Sequence, residues 1–224
     1  VFLLFASPPE KDVEWNDDAV MGAFRFLNRI WRLIESNIDA IRKGMDFTAE
    51  AAELTPEFQE LLYSSHLTVK KWLDDTMQRM QYNTAIAATM EHLNKCTGIK
   101  DTTLLSNAEL AVYAEACGII PQLLYPFAPH IAEELWQMMG FGQMLHECGL
   151  PGYEEKYLQK DTITYVIQVN GKVRSKMDIA ADATDDTLRA TALEVDNVIK
   201  ALEGLTVRKV IIIPQKMISI AASK

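Results

Sequence analysis

Apolar residues in this chain recur at every third or fourth position up to about residue 160, and at every second position beyond it. A step of 3.6 aligns side chains along a helix and a step of two along a strand, so one element type cannot serve both stretches. The switch predicts a multidomain chain: an α-helical bundle over 1–155, then a small α+β domain over 156–224, joined through PGYEEKYLQKD.

Charge changes at the same place. The whole chain has 22 basic and 31 acidic residues, a net of −9, which taken alone argues against a nucleic-acid partner. Residues 1–161 hold 13 Lys/Arg against 24 Asp/Glu, a net of −11, whereas 162–224 hold 9 against 7, a net of +2. A basic patch on the second domain therefore survives the average. With 49 % apolar and 24 % charged residues the chain can bury a core, which excludes disordered and fibrous classes. Its apolar runs are too short to cross a bilayer. The opening VFLLFASPP lacks the basic start and the length of a secretory signal, so a buried strand or a cut inside a larger protein is expected there.

Cys96, Cys117 and Cys148 are too scattered for a disulfide framework or a zinc ribbon, which points to a reducing, cytoplasmic setting. His66, His92, His130 and His146 form no compact ligand pattern and read as surface or core-edge residues. No metal site is expected.

In the first domain, Val20, Phe24, Leu27, Trp31, Ile34 and Ile38 trace one helical face from about Asp17 to Asn37, with Asn16 or Asp17 as cap. Arg25, Arg29 and Arg32 share another side of that helix, either as a phosphate-facing stripe or as an ordinary solvated face. Thr55 and Pro56 open a second helix through Phe58, Leu62, Ser65, Val69, Trp72 and Thr76. A third runs from Asn83 past Ile86, Met90 and Leu93 to Gly98. Ser106 and Glu109 form a capping-box pattern before a fourth, in which Pro121 predicts a kink or an early stop. Pro129 starts a fifth that closes near Gly140, with Trp136 at the margin of its apolar side.

The second domain begins with alternation at Ile163, Tyr165, Ile167 and Val169, then Asn170-Gly171, a pair suited to the positive φ angles of a type I′ hairpin turn. On the outgoing arm Lys172, Arg174 and Lys176 would project to one side, and Val173, Ser175, Met177 and Ile179 to the other, provided no bulge intervenes. One helix through Leu188, Ala192, Val195, Ile199 and Leu202 is expected next, then strands at Val207–Pro214 and Met217–Ala222, giving the order β-β-α-β-β. Arg208 and Lys209 near the start of the third strand can enlarge the hairpin's basic patch; the alternative is lysine serving as edge protection.

Nucleophile elbows, Walker loops, Ser-x-x-Lys and paired zinc ligands are absent, and adjacent Glu133 and Glu134 do not share a helix face. No catalytic residue is assigned.

FASPPEKDVEW, RFLNRIWRL, YNTAIAATM and LLYPFAPHIAEELW together resemble the anticodon-binding-type helical domain of class I aminoacyl-tRNA synthetases. VIQVNGKVRSKMDI and LEGLTVRKVIIIP are similar to the C-terminal domain of the bacterial leucyl members. The resemblance covers nearly the whole chain. It implies a parent enzyme that joins leucine to its tRNA with ATP and Mg²⁺, is monomeric, and carries its HIGH-like and KMSKS-like motifs and its editing domain upstream of Val1. The chain by itself would be an inactive tRNA-positioning region, with leucine tRNA and the upstream catalytic domain as partners. Asn170, Gly171, Lys172 and Arg174 match the family's VNGK-x-R motif and become tRNA-facing candidates. Lys176, Arg208 and Lys209 extend the charge argument, and Arg25, Arg29 and Arg32 match the RFLNR-x-W region. A noncatalytic protein-interaction scaffold is the competing reading.

Overall fold

The computed structural model describes residues 1–49, 53–158, 162–180, 183–214 and 216–223, with the backbone alone at Thr162 and Ile163. The chain divides into two compact units, Val1–Leu158 and Gln159–Lys224.

Among its described residues the first unit is all helical: α1 (Phe2–Ala6), α2 (Asp17–Ser36), α3 (Ile38–Gly44), α4 (Pro56–Leu73), α5 (Tyr82–Cys96), α6 (Asn107–Leu124) and α7 (Pro129–Met139). The opening is not a buried strand. Phe2–Ala6 forms a short helix with no buried residue, and Phe2 packs edge-on against Trp15 with ring centroids 5.5 Å apart.

Asn16 caps α2 by accepting the Ala19 N–H at 2.9 Å. The buried face of α2 is Ala23, Phe26, Ile30, Leu33 and Ile34, so the core lies beside the expected stripe and Phe24 is 56 % exposed. Apolar residues cover more than half of this helix, and packing, not periodicity, selects which of them face inward. After Asn37 the chain resumes as α3, a helix that the spacing of apolar residues does not separate from α2. Gly44 at its end permits a close crossing with α6, because a Cβ there would lie 2.2 Å from the Leu110 carbonyl oxygen.

On α4, Phe58, Leu62, Ser65, Val69 and Trp72 are buried as expected, and the helix passes into a π turn over Asp74–Gln78. There the Thr76 hydroxyl donates to the Trp72 carbonyl at 2.7 Å. The capping box of α6 is complete: the Glu109 N–H donates to Ser106 Oγ at 3.2 Å and the Ser106 N–H to Glu109 Oε2 at 3.0 Å. Backbone donation from Ser106 holds the Glu109 carboxyl below the usual carboxylate range. The expected early stop at Pro121 does not occur; α6 continues to Leu124, with the Tyr125 N–H bonded back to the Pro121 carbonyl at 2.9 Å. Three residues from the helix end, the missing proline N–H removes one ladder bond without ending the helix.

Gly140, at φ +98°, closes α7. Trp136 is not marginal: it is 5 % exposed, stacks on Phe141 at 3.6 Å and donates Nε1–H to the Gln143 carbonyl at 3.0 Å. His66 and His92 are also core residues and not core-edge ones, while His130 and His146 are exposed.

The second unit contains β1 (Thr162–Val169), β2 (Lys172–Ala180), α8 (Asp185–Glu194), α9 (Asp196–Leu202), β3 (Thr206–Ile213) and β4 (Met217–Ser223). The sheet order is β2-β1-β4-β3; β1 pairs antiparallel with β2 and parallel with β4, and β3 pairs antiparallel with β4. Tyr165, Ile167, Val169, Met177, Ile218 and Ile220 meet Leu188, Ala192 and Val198 in a separate core. The single expected helix is broken at Val195, whose ψ of 123° ends α8 and starts α9. That break turns Val198 inward and leaves Ile199 exposed.

Candidate nucleic-acid interface

Asn170 and Gly171 adopt φ of 50° and 78°, the left-handed pair a type I′ turn requires. Asn170 tolerates this region better than most residues, and Gly171 enters it without a Cβ penalty. Beyond the turn, the antiparallel register runs Val169↔Lys172, Gln168↔Val173, then Ile167↔Ser175, leaving Arg174 as the extra residue of a bulge.

That bulge overturns the expected alternation. Paired residues share a face, so Lys172 lies in the row of Val169, on the helix-covered side at the rim, whereas Lys176 lies opposite Val166 on the other side. One inserted residue reverses every side chain beyond it. Val173, expected opposite the basic residues, joins the outer face with Lys176 and is exposed.

A second bulge falls at Arg208, between Val207↔Ala222 and Lys209↔Ala221. Both outer strands of the sheet thus place an arginine at a bulge. The registers also place these arginines at the same end: Lys172 is in line with Val169, Ile220 and Val210, and Lys209 is one residue farther toward the tip. From edge to edge this row spans about 14 Å at ~4.8 Å per strand. Lys176 sits on the Val166 row, about 10 Å down the sheet. Lys172, Arg174, Lys176, Arg208 and Lys209 are all exposed. Among the described residues, Lys172, Arg174, Lys176 and Lys209 form no ion pair.

Asp178, bonded by the Thr164 hydroxyl, lies near the far end of β2, and Asp185 and Asp186 open α8 beyond that end. The outer sheet face also exposes Ile211 and Ile213.

The turn is fastened to the sheet by a side chain. Asn170 Nδ2 donates to the Ala222 carbonyl at 2.9 Å, and Asn170 Oδ1 accepts the Ala222 N–H at 2.9 Å. Its backbone N–H donates to Ile220 O at 2.9 Å. Next along β4, the Ser223 hydroxyl accepts from Arg208 Nε at 2.9 Å. Sequence reasoning missed Ala222 and Ser223, because nothing in a terminal AAS stretch signals contact with a hairpin 52 residues away.

In the first unit Arg25, Arg29 and Arg32 are exposed on one side of α2. Arg29 Nη2 donates to Asn94 Oδ1 of α5 at 2.6 Å, so this arginine also ties two helices together. Among the described residues no group of three or more His, Cys, Asp or Glu side chains is placed to hold a metal ion, and no helix is long and apolar enough to cross a membrane.

The family described as the anticodon-binding domain of tRNA ligase matches residues 59–190. A leucine-tRNA ligase of Nitratidesulfovibrio vulgaris strain DP4 is 41 % identical over 225 residues, covering 100 % of this chain and 27 % of that protein. One from Geobacter sp. strain M21 is 41 % identical over 223 residues with the same coverages. Among solved structures, the Agrobacterium radiobacter K84 agnB2 LeuRS in its ternary complex with tRNA and LeuAMS matches with a TM-score of 0.78 and 26 % identity. The match covers 100 % of this chain and 28 % of that one. The chain spans little more than a quarter of the length of these relatives.

Proposed function

This chain belongs to the anticodon-binding-domain family of tRNA ligases, and on that footing we propose that it is the tRNA-binding and positioning region of a leucine-tRNA ligase. The whole enzyme would join leucine to its tRNA with ATP and Mg²⁺ in the cytoplasm, as a monomer whose catalytic and editing domains lie outside these 224 residues. The chain alone forms no adenylate and edits nothing.

The observation that carries the reading is the convergence of Lys172, Arg174, Arg208 and Lys209 on one end of one sheet, from strands at both its edges. Cations spaced across a rigid end suit a phosphodiester backbone, which they orient without reading bases. Lys176 extends the surface down the outer face. Asn170 and Gly171 build the turn that presents it. In the first unit, Arg25 and Arg32 are the stronger candidates for phosphate contact, since Arg29 is engaged with Asn94.

Binding of the chain to leucine tRNA and to an unrelated tRNA, measured across a salt series, tests this reading. Removing one cation from a phosphate should reduce the slope of log K against log salt by about 0.9 for a duplex region. Lys172→Ala, Arg174→Ala and Lys176→Ala combined are expected to weaken binding to leucine tRNA and flatten the slope by roughly two to three phosphates' worth. Unchanged affinity and slope would remove the hairpin from the interface. No binding by the folded chain, even at low salt, would favour a scaffold role instead.

A further inference from the structure

We infer that Asn170 and Ser223 are positioning residues that join the two basic groups of the hairpin end into one phosphate-binding surface; this rests on the tRNA reading above. The basic residues lie on opposite edge strands, Lys172 and Arg174 on β2, Arg208 and Lys209 on β3, with β1 and β4 between them. At Asn170 the main chain leaves the sheet, since φ turns to 50°. Backbone pairing of β1 with β4 has its last partners at Val169↔Ile220, yet β4 runs on to Ser223.

The Asn170 side chain takes over at that point. A carboxamide presents an N–H donor and a C=O acceptor side by side, as the N–H and C=O of one strand residue are, and Asn170 uses both on Ala222. Ala222 is thereby held on one side by the hairpin turn and on the other by its register with Val207. Ser223, the next residue, receives Arg208 Nε. An unbroken path therefore runs from the turn through Asn170, Ala222 and Ser223 to Arg208. It crosses the sheet end where backbone pairing between β1 and β4 has stopped. Without it, the end of β4 beyond Ile220 would be tied to the Lys172 edge through the backbone at Ile220 alone, and Arg208 would lose its bond to Ser223. The two basic groups could then engage a phosphate backbone singly, with the ordering cost borne at binding.

Asn170→Gly separates this role from turn geometry, because glycine keeps the positive φ and removes the carboxamide. Ser223→Ala removes the hydroxyl that accepts Arg208 Nε, and Ser223→Thr retains it. For the 224-residue chain with a leucine tRNA transcript, Asn170→Gly is expected to speed amide exchange at Ala222 and lower affinity about fivefold, as for removal of one hydrogen bond. The salt slope should shrink by about one phosphate's worth, with the melting of the second unit little changed. Ser223→Ala should reproduce the slope change, and Ser223→Thr should restore it. If Asn170→Gly speeds exchange at Ala222 but leaves affinity and slope at wild-type values, the inference is overturned while the tRNA reading stands. If Lys172→Ala with Arg174→Ala also leaves both unchanged, the tRNA reading at this site falls and takes the inference with it.

Discussion

His92 shows how a single residue couples this fold to pH. Its ring is buried on α5, with Nε2–H donating to the Ala116 carbonyl of α6 at 2.8 Å. Burial pushes its pKa down to about 4, against an ordinary value near 6.5, with nearby Lys95 acting in the same direction and the Ala116 bond opposing. The folded state favours neutral imidazole, so the unfolded chain takes up the proton first as pH falls. This contribution to stability is complete above about pH 6.5, is lost progressively down to about pH 4, and amounts to about 3 kcal/mol. His92→Gln can keep the donor to Ala116 and cannot titrate. Denaturant midpoints at about pH 7.5, 5.5 and 4.5 are expected to fall less steeply for this variant than for the wild type, and equal slopes would refute the assignment. Residue types also explain what local reading could see. Ser106 with Glu109, and Asn170 with Gly171, declare their geometry through short-range bonds and φ preferences. His92 carries no such mark, because its burial depends on α6, 24 residues away.

At the scale of elements, the decisive contacts are those where two segments approach more closely than ordinary side chains allow. Gly44 is the clearest case. A Cβ there would meet the Leu110 carbonyl oxygen at 2.2 Å and Ala114 Cβ at 2.8 Å, so Gly44→Ala must push α3 away from α6. We expect a loss of about 2 kcal/mol. Gly142→Ala, which would meet nothing within 4 Å, serves as the comparison and should stay within about 0.5 kcal/mol. Chemical denaturation of the two variants checks this, and equal stabilities would mean that the α3–α6 crossing is not constrained at Gly44. The same scale explains the mistaken faces. On β2 the alternation of Lys172, Arg174 and Lys176 is correct as a pattern and wrong as a placement, since a bulge at Arg174 reverses it. On α2 two overlapping apolar stripes compete, and contacts with the other helices choose the one containing Ile30 and Ile34. The α8/α9 break arises likewise from fitting a helical layer onto a sheet, where Val198 reaches the core and Ile199 does not.

For the whole molecule, each of the buried core clusters falls entirely within one of the two units, which predicts two cooperative units. The first centres on residues such as Ile30, Phe58, Tyr113 and Leu135, and the second on Ile167, Leu188, Ile218 and Ile220. Unfolding should then resolve into two transitions. Phe58→Ala is expected to lower only one and Leu188→Ala only the other, each by about 3 kcal/mol. Calorimetry of the three proteins would show it; a single transition shifted by both changes would contradict independent units. Function follows the same division, because the basic sheet end lies in a unit of net +2 while the first carries most of the acidic residues. The proposed interface is thus a local field set against an acidic average.

Beyond the opening, where an expected strand is a short helix, the sequence by itself determined the element types, the capping box, the hairpin turn and the passage from helical to mixed architecture, because each depends on residues within a few positions of one another. It also brought the chain to its family through ordered local motifs. Only the tertiary structure decided which face of α2 is buried, where the sheet bulges, and that β4 lies between β1 and β3. On that last fact rests the meeting of Arg208 and Lys209 with the hairpin. Strand order is a long-range pairing, settled by the packing of the sheet against α8 and α9, and no spacing within the sequence encodes it.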